Sequence, residues 1–145
     1  MKKLLCALVC GLLLVSCSSD DDNTTKTLDE KIAEDSWYFQ RHGETCSNDF
    51  DLQEGGLFEL RFLPDNSLEF TDPGYLTSSS YMLNGEELTV TTVYTLPSGS
   101  TREFVGNYVY SAETDSFTGN NTFTAYDNTE VLWTCQGTAS IFGKQ

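Results

Sequence analysis

The chain has 145 residues, with 22 acidic against 8 basic side chains and a formal net charge of −14. A surface this acidic argues against nucleic acid as a partner, because binding to phosphate backbones requires Lys and Arg to displace condensed counterions. The length leaves room for one domain after any leader and linker are removed.

The first sixteen residues have the three parts of a secretory signal peptide. Lys2 and Lys3 form the positive start, residues 4–15 form an apolar run, and small Ser16 precedes Cys17. The apolar run is too short for a membrane-spanning helix, which needs about 20 residues. We therefore predict that residues 1–16 are removed, and the loss of two lysines changes the net charge from −14 to −16.

The segment Leu14-Val15-Ser16-Cys17 resembles the lipobox of bacterial lipoproteins. The resemblance implies that Cys17 receives a diacylglycerol, becomes the mature N-terminus, and anchors the protein through palmitate-type acyl chains. One chain binds a membrane only marginally, whereas two or more hold it stably, since each buried CH₂ contributes about 0.8 kcal/mol. The expected partner of this end of the protein is therefore a membrane.

Residues 17–27 are polar and predict a lipidated, acidic, flexible tether. Its run of Asp20, Asp21 and Asp22 has two interpretations. A charge run is often only a solvated segment. The triplet also resembles the surface-export signal of Bacteroidota-type lipoproteins, which implies a protein on the cell outer membrane that faces the exterior.

A short helix is predicted next, at the start of the domain that spans residues 28–145. Thr27 and Glu30 have the spacing of a capping box, and Leu28 and Ile32 share one helix face at i, i+4. We expect the helix to place Leu28 and Ile32 across one end of the structure that follows.

Alternation of apolar and polar residues predicts about eight strands after the helix. The predicted strands are residues 37–40, 58–62, 68–70, 81–83, 88–94, 102–110, 116–125 and 131–142. Asn84-Gly85 is a strong hairpin signal, because both residues tolerate positive φ. The phase slips between Val90 and Val93, which predicts a bulge there. In the last strand the alternation places one set of side chains inward: Val131, Trp133, Cys135, Gly137, Ala139 and Ile141.

Eight strands in unbroken hairpin order favour an all-β fold, a small antiparallel up-and-down β-barrel, which also removes exposed edges. In such a barrel the first strand pairs with the last. Gly106, Gly119 and Gly137, each in mid-strand, are expected where strands bend sharply or where the interior narrows.

Cys46 and Cys135 are the cysteines that remain after the signal peptide and Cys17 are set aside. In an exported domain a disulfide is expected, and closure of a 90-residue loop is worth about 4 to 5 kcal/mol in the chain-entropy account. The alternative is a metal site formed by His42, Cys46 and Cys135, which lacks a persuasive fourth ligand.

Residues 28–143 resemble the lipocalin-like lipoprotein domains of bacteria. The resemblance is carried by Trp37 in the first strand, the turn at residues 62–67, the hairpin at 81–88, Phe117-Thr118-Gly119, and the closing strand from Trp133 to Ala139. It implies a small up-and-down barrel. The true lipocalin start is Gly-x-Trp, whereas this chain has Asp35-Ser36-Trp37.

Catalytic signals are weak, and we predict no enzyme, no cofactor and no metal. His42 is the only histidine, and no nucleophile motif such as Gly-x-Ser-x-Gly accompanies it. Asp49, Asp51 and Glu54 offer oxygens of the kind that Ca²⁺ accepts, but their spacing lacks the full loop pattern, so a solvated acidic loop is favoured.

Two functions remain. The favoured one is a non-catalytic surface interaction or structural module whose interior is filled by aromatic side chains, with no cavity of about 300 Å³ or more and with Trp37 near Trp133. The alternative is a lipocalin-like binding protein for a small apolar ligand. Its candidate lining residues are Trp37, Phe39, Phe58, Phe62, Tyr94, Phe104, Phe123 and Trp133.

Overall fold

A computed structural model of the chain describes residues 26–47 and 56–144. Its elements follow the predicted order of one helix and eight strands. They are α1 (Leu28–Glu34), β1 (Ser36–Cys46), β2 (Phe58–Phe62), β3 (Leu68–Phe70), β4 (Leu76–Asn84), β5 (Glu87–Thr95), β6 (Thr101–Ser111), β7 (Ser116–Asp127) and β8 (Glu130–Gly143). The predicted signal peptide, Cys17, the triplet Asp20 to Asp22, and the loop acids Asp49, Asp51 and Glu54 lie outside the described residues.

Helix α1 begins with the predicted capping box. The backbone N–H of Glu30 donates to Thr27 Oγ1 at 3.3 Å, and the N–H of Thr27 donates to Glu30 Oε2 at 2.8 Å. Ile32 is buried and Leu28 is half-buried against the core. A helix of two turns is too short to be stable alone, so this apolar contact is what holds it.

The eight strands form one antiparallel sheet in the order β3-β2-β1-β8-β7-β6-β5-β4. The predicted pairing of the first strand with the last is confirmed, with Trp37 opposite Gly143 and Cys46 opposite Cys135. The sheet curls into a nearly closed barrel, which confirms the predicted fold class.

The gap between β3 and β4 is bridged by few hydrogen bonds. Ser79 Oγ accepts from the backbone N–H of Leu68 at 3.1 Å and donates to the carbonyl oxygen of Leu68 at 2.7 Å. The N–H of Tyr81 donates to the carbonyl oxygen of Asn66 at 2.8 Å. A side-chain hydroxyl thus takes the place of a regular ladder, and we call this line of contact the β3–β4 seam.

The barrel has two different ends. Strand β1 starts beside α1, so the turns after β2, β4 and β6 lie at the same end as the helix, which we call the helix end. The loops after β1, β3, β5 and β7 lie at the opposite end, which we call the open end. The direction in which each strand runs between the two ends determines which side chains lie at the same level inside the barrel.

The bulge predicted in β5 between Val90 and Val93 is wrong in its position. The pairing of β5 with β6 is continuous, and Thr92 takes an interior place between Val90 and Tyr94. The bulge lies in the partner strand β4, where Thr77 is the extra residue between Leu76 and Ser78. The break in the alternation of apolar and polar residues is caused by Thr92, a polar residue that faces the interior, and polarity alone does not indicate this placement.

The inward placement predicted for Val131 is also wrong. The pairing of β7 with β8 jumps from Ala125–Trp133 to Tyr126–Val131, so Leu132 is an extra residue that reverses the alternation. Val131 is 55% exposed as a result, whereas Cys135, Ala139 and Ile141 are buried as predicted.

The two tryptophans do not meet, contrary to expectation. Gly143 lies opposite Trp37, and Trp133 lies ten residues earlier in β8, which is about 33 Å along the strand. Trp37 packs against Phe62 and Phe117 at the helix end, whereas Trp133 packs against Phe123 towards the open end.

Candidate functional site

The helix end of the barrel is sealed. Ile32 and Trp37 are both almost fully buried there, and Trp37 Nε1 donates to the carbonyl oxygen of Ile32 at 3.2 Å. Lys31 forms an ion pair with Asp115 in the turn after β6, and the hydroxyl of Tyr110 donates to Asp115 Oδ1 at 2.7 Å. These contacts close this end with side chains.

The open half of the barrel contains a cavity of about 380 Å³. Phe39, Leu60, Val90 and Ile141 form part of its apolar wall, and the loop after β3, including Tyr75, forms part of its rim. The volume exceeds the 300 Å³ or so at which ligand pockets begin. The expectation of a filled interior is therefore wrong: side chains fill the helix end, whereas in the other half of the barrel the aromatic side chains surround a space that they do not fill.

The predicted lining residues divide between the two halves. Five of them line the cavity: Phe39, Phe58, Tyr94, Phe104 and Phe123. Trp37 and Phe62 belong to the packed helix end, where their rings lie 6.2 Å apart. Trp133 does not line the cavity but contacts a residue that does, since its ring lies 5.5 Å from that of Phe123.

Two arginines also line the cavity, and the sequence prediction missed both. Arg41 continues the inward alternation of Trp37 and Phe39 in β1, and Arg102 continues that of Phe104 in β6. The alternation itself was the signal that identifies them. Polarity gives the opposite indication at both positions, because a charged side chain is expected to face water.

A buried polar cluster lies beside the cavity and starts at Arg41. A bulge at Gly43, with a φ of +52°, turns Glu44 inward so that only 4% of its side chain is exposed. Arg41 Nη1 lies 3.3 Å from Glu44 Oε2, and Asn121 Nδ2 donates to Glu44 Oε1 at 3.2 Å. The pair is thus neutralised inside the barrel, as a buried charge must be.

Small residues make room for this cluster. Gly106 and Gly137 flank Asn121 in the two ladders of β7, on the inner face. A Cβ atom at Gly137 would lie 2.6 Å from Glu44 Cγ, and one at Gly106 would lie 2.1 Å from the Tyr108 hydroxyl. The predicted role of these mid-strand glycines, to fit a narrow interior, is confirmed at both positions.

Several polar atoms of the interior have no hydrogen-bond partner among the described residues. They are Arg41 Nε, Glu44 Oε2, Thr92 Oγ1, the Tyr108 hydroxyl and Asn121 Oδ1. Burial, and secondarily the charge of Glu44, raise the pKa of Tyr108, so this phenol is neutral. Arg41 and Thr92 are the two of these residues that also line the cavity.

The two cysteines of the domain are joined. Cys46 at the end of β1 and Cys135 in β8 form a disulfide between directly opposed residues, as predicted. The bonded sulfurs offer no thiolate, so the alternative metal site with His42 is wrong. His42 lies exposed on the outer face with Nε2 3.2 Å from Ser140 Oγ. Within residues 26–47 and 56–144 no group of His, Cys, Asp or Glu is arranged to hold a metal ion.

Comparisons with protein families, with curated proteins and with solved structures find no match to this chain. Across the described parts of the chain, no helix has the length and apolar character needed to span a membrane. The half-open cavity with its two arginines is the feature from which a function can be argued.

Proposed function

We propose that this chain is a non-catalytic binding protein that holds one small apolar ligand in the open half of its barrel. The cavity of about 380 Å³, lined by aromatic and aliphatic side chains and open at one end, is the observation that carries the proposal. Ligand sites in proteins are typically cavities of about 300 to 1,000 Å³ with mostly apolar walls and a few polar groups.

The alternative, a surface interaction module, depended on a barrel filled by its own aromatic side chains. The cavity weakens that basis, because the rings of Phe39, Phe104 and Phe123 cover one another only in part. Removal of apolar surface from water is favourable by about 25 cal/mol per Å². An apolar molecule bound in the cavity covers the wall and so contributes this free energy to binding. Binding inside the barrel is therefore the function that the geometry favours.

The proposal includes a lipid anchor and a place on the cell surface. Support comes from the sequence: the lipobox-like segment that ends at Cys17, and the acidic run Asp20 to Asp22 that follows it. A carrier tethered in this way at the outer membrane presents its open end to molecules outside the cell. The lipocalin-like resemblance agrees with the same function and remains part of the proposal.

The test uses the full chain with Cys17→Ala, which removes the thiol that would take lipid, and the neutral fluorescent probe N-phenylnaphthylamine. We expect its fluorescence to rise on binding and the melting temperature to increase. At about 100 times Kd the stabilisation is about 2.7 kcal/mol, which corresponds to a rise of about 10 °C.

Val90→Phe adds a ring to the cavity wall and should abolish both effects. Val109→Phe is the matched control, because Val109 lies on the outer face and is 54% exposed. Circular dichroism establishes that each variant is folded. If Val90→Phe does not fold, Tyr94→Trp at the same wall replaces it. Absence of probe binding to the parent chain, or equal binding by the cavity and control variants, would refute the proposal.

A further inference from the structure

We infer that the ligand carries an anionic group on its apolar body, and that Arg102 and Arg41 receive this group near the mouth of the cavity. The inference rests on the proposed function and adds the chemical class of the ligand. A carboxylate, sulfate or sulfonate satisfies it, since each presents oxygens to a guanidinium in the same way.

The two arginines lie at the same level on facing walls of the barrel. Phe39 of β1 and Phe104 of β6 meet across the interior, with ring centroids 5.4 Å apart. Strand β1 runs towards the open end and β6 runs away from it, so Arg41 and Arg102 are each two residues nearer that end. Two residues correspond to about 7 Å along a strand. Arg41 and Arg102 therefore both line the cavity on the open-end side of the Phe39–Phe104 contact.

Two of the few basic residues of this chain line an apolar cavity, where removal of a charge from water is unfavourable. Eight basic residues serve the whole chain, which has a net charge of −14, and three of them are arginines. The third, Arg61, lies on the outer face, with Nη1 3.8 Å from Glu69 Oε2. Acidic partners are abundant at the surface, and inside the described barrel only Arg41 is paired with one, so the inward position of Arg102 points to a charge that arrives with the ligand.

Arg102 is the uncompensated charge of the pair. Among the described residues no carboxylate forms an ion pair with it, and its guanidinium lies over the ring of Trp133, 5.7 Å from the centroid. Arg41 is balanced by Glu44, yet its Nε is buried and donates to nothing in the described chain. Arg102 thus supplies the net charge, and Arg41, which also lines the cavity, adds guanidinium N–H groups other than the one that faces Glu44.

One acidic residue, Asp72, also lines the described cavity, on the loop after β3. It is exposed, and no ion pair joins it to Arg102. Its charge is largely screened by water, whereas that of Arg102 is partly removed from water beside Trp133. Among the residues that the structure describes, the charges that line the cavity therefore favour an anion over a cation.

The test compares two probes that share one apolar body. Anilinonaphthalene sulfonate carries a negative charge, whereas N-phenylnaphthylamine is neutral. In the full chain with Cys17→Ala, we expect the sulfonate to bind about tenfold more tightly or better, since hydrogen bonds to charged groups are each worth about a factor of ten. The ratio of the two affinities should fall towards one in Arg102→Gln. It should be unchanged in Arg61→Gln, the control on the outer face.

Arg41 requires a paired change, because Arg41→Gln alone leaves the buried carboxylate of Glu44 uncompensated. The double variant Arg41→Gln with Glu44→Gln keeps the interior neutral and should also lower the affinity ratio. Equal binding of both probes by the parent chain would overturn the inference, as would an Arg102→Gln effect of the same size on both probes. Failure of the neutral probe to bind the parent chain would instead overturn the proposed function, so the two failures are distinct.

Discussion

The phenol ring of Tyr108 lies over Gly106, two residues earlier in β6. A Cβ atom at position 106 would lie 2.1 Å from the Tyr108 hydroxyl oxygen, so only glycine leaves room for the ring. The hydroxyl itself is buried beside the charge of Glu44 and makes no hydrogen bond within the described residues. Tyr108 thus fills space as a phenylalanine would, and its hydroxyl adds a cost.

We predict that Tyr108→Phe stabilises the protein by about 1 kcal/mol at neutral pH, because it removes a buried polar group without a partner. The pKa of Tyr108 is raised in the folded state above its unfolded value of about 10. Ionisation of Tyr108 therefore costs no stability below pH 10. Above pH 10 the phenol ionises more readily in the unfolded chain, so the free energy of unfolding falls as the pH rises towards the folded pKa. Tyr108→Phe should reduce this alkaline loss, measured by urea unfolding at pH 7 and pH 11.

Tyr110→Phe is the control for this prediction, two residues further along β6. The Tyr110 hydroxyl donates to Asp115, so its removal should lower the free energy of unfolding by about 1 kcal/mol. A loss of stability in Tyr108→Phe as large as that in Tyr110→Phe would show that the Tyr108 hydroxyl is hydrogen-bonded in solution.

Gly119→Ala should be the most damaging of the glycine substitutions in the sheet. A Cβ atom at position 119 would lie 2.0 Å from the carbonyl oxygen of Asn107 and 2.7 Å from Tyr108 Cα. Both are backbone atoms of the neighbouring strand, so relief requires β6 to move. We expect a loss of about 3 kcal/mol, at the upper end for overpacking. Gly143→Ala, with open space around its Cβ, is the control in chemical denaturation, and equal losses in the two would contradict the prediction.

The order and pairing of the strands could be predicted because the barrel is a simple meander. Each strand forms a ladder with its sequence neighbour except at the β3–β4 seam, and hairpin signals such as Asn84-Gly85 mark the connections. Bulges could not be located in the same way. Thr92 inside the barrel and Leu132 as an extra residue both break the rule that polarity reports the side of a strand, and only the register shows which strand carries the irregularity.

The cavity was beyond sequence reasoning for a different reason. Alternation identified Phe39 and Phe104 as inward residues, but the free volume depends on how far opposing walls stand apart. That distance follows from strand tilt and from close packing at glycines such as Gly119. Arg41 and Arg102 are 61 residues apart in sequence and face one another only after the barrel curls.

Loss of the disulfide should weaken the barrel without changing its topology. Cys46 and Cys135 join β1 to β8 towards the open end, and the bond limits the freedom of the unfolded chain. We expect Cys46→Ala with Cys135→Ala to lower the free energy of unfolding by about 2 to 4 kcal/mol in calorimetry. The parent protein should lose the same stability on reduction, whereas the double variant should not respond. Two titratable thiols in the native exported protein would contradict this.

The anchor is tested in cells by Cys17→Ala. If Cys17 carries lipid, the variant should leave the membrane fraction or accumulate as an unprocessed precursor, because a single segment without acyl chains has no stable anchor. Cys46→Ala is the matched control and should remain in the membrane fraction. Unchanged partitioning together with unchanged processing of Cys17→Ala would exclude lipidation at this residue.

Surface display is tested separately by changing Asp20, Asp21 and Asp22 together to Asn, which keeps their size and removes their charge. The protein should then become protected from protease added outside the cells. Continued digestion of the variant, at the rate of the parent protein, would show that the acidic run is only a solvated part of the tether.

The β3–β4 seam makes the wall of this barrel unequal around its circumference. Seven ladders join the other neighbouring strands, whereas β3 and β4 are joined through the hydroxyl of Ser79 and the hydrogen bond from Tyr81 to Asn66. Separation of β3 from β4 would break these hydrogen bonds, the hydrogen bond from the Tyr81 hydroxyl to the carbonyl oxygen of Leu63, and the ring contact of Phe62 with Tyr81, but it would leave every ladder intact. The barrel is therefore a curled sheet with two meeting edges, and the seam is the line along which its circumference would open with the fewest backbone hydrogen bonds lost.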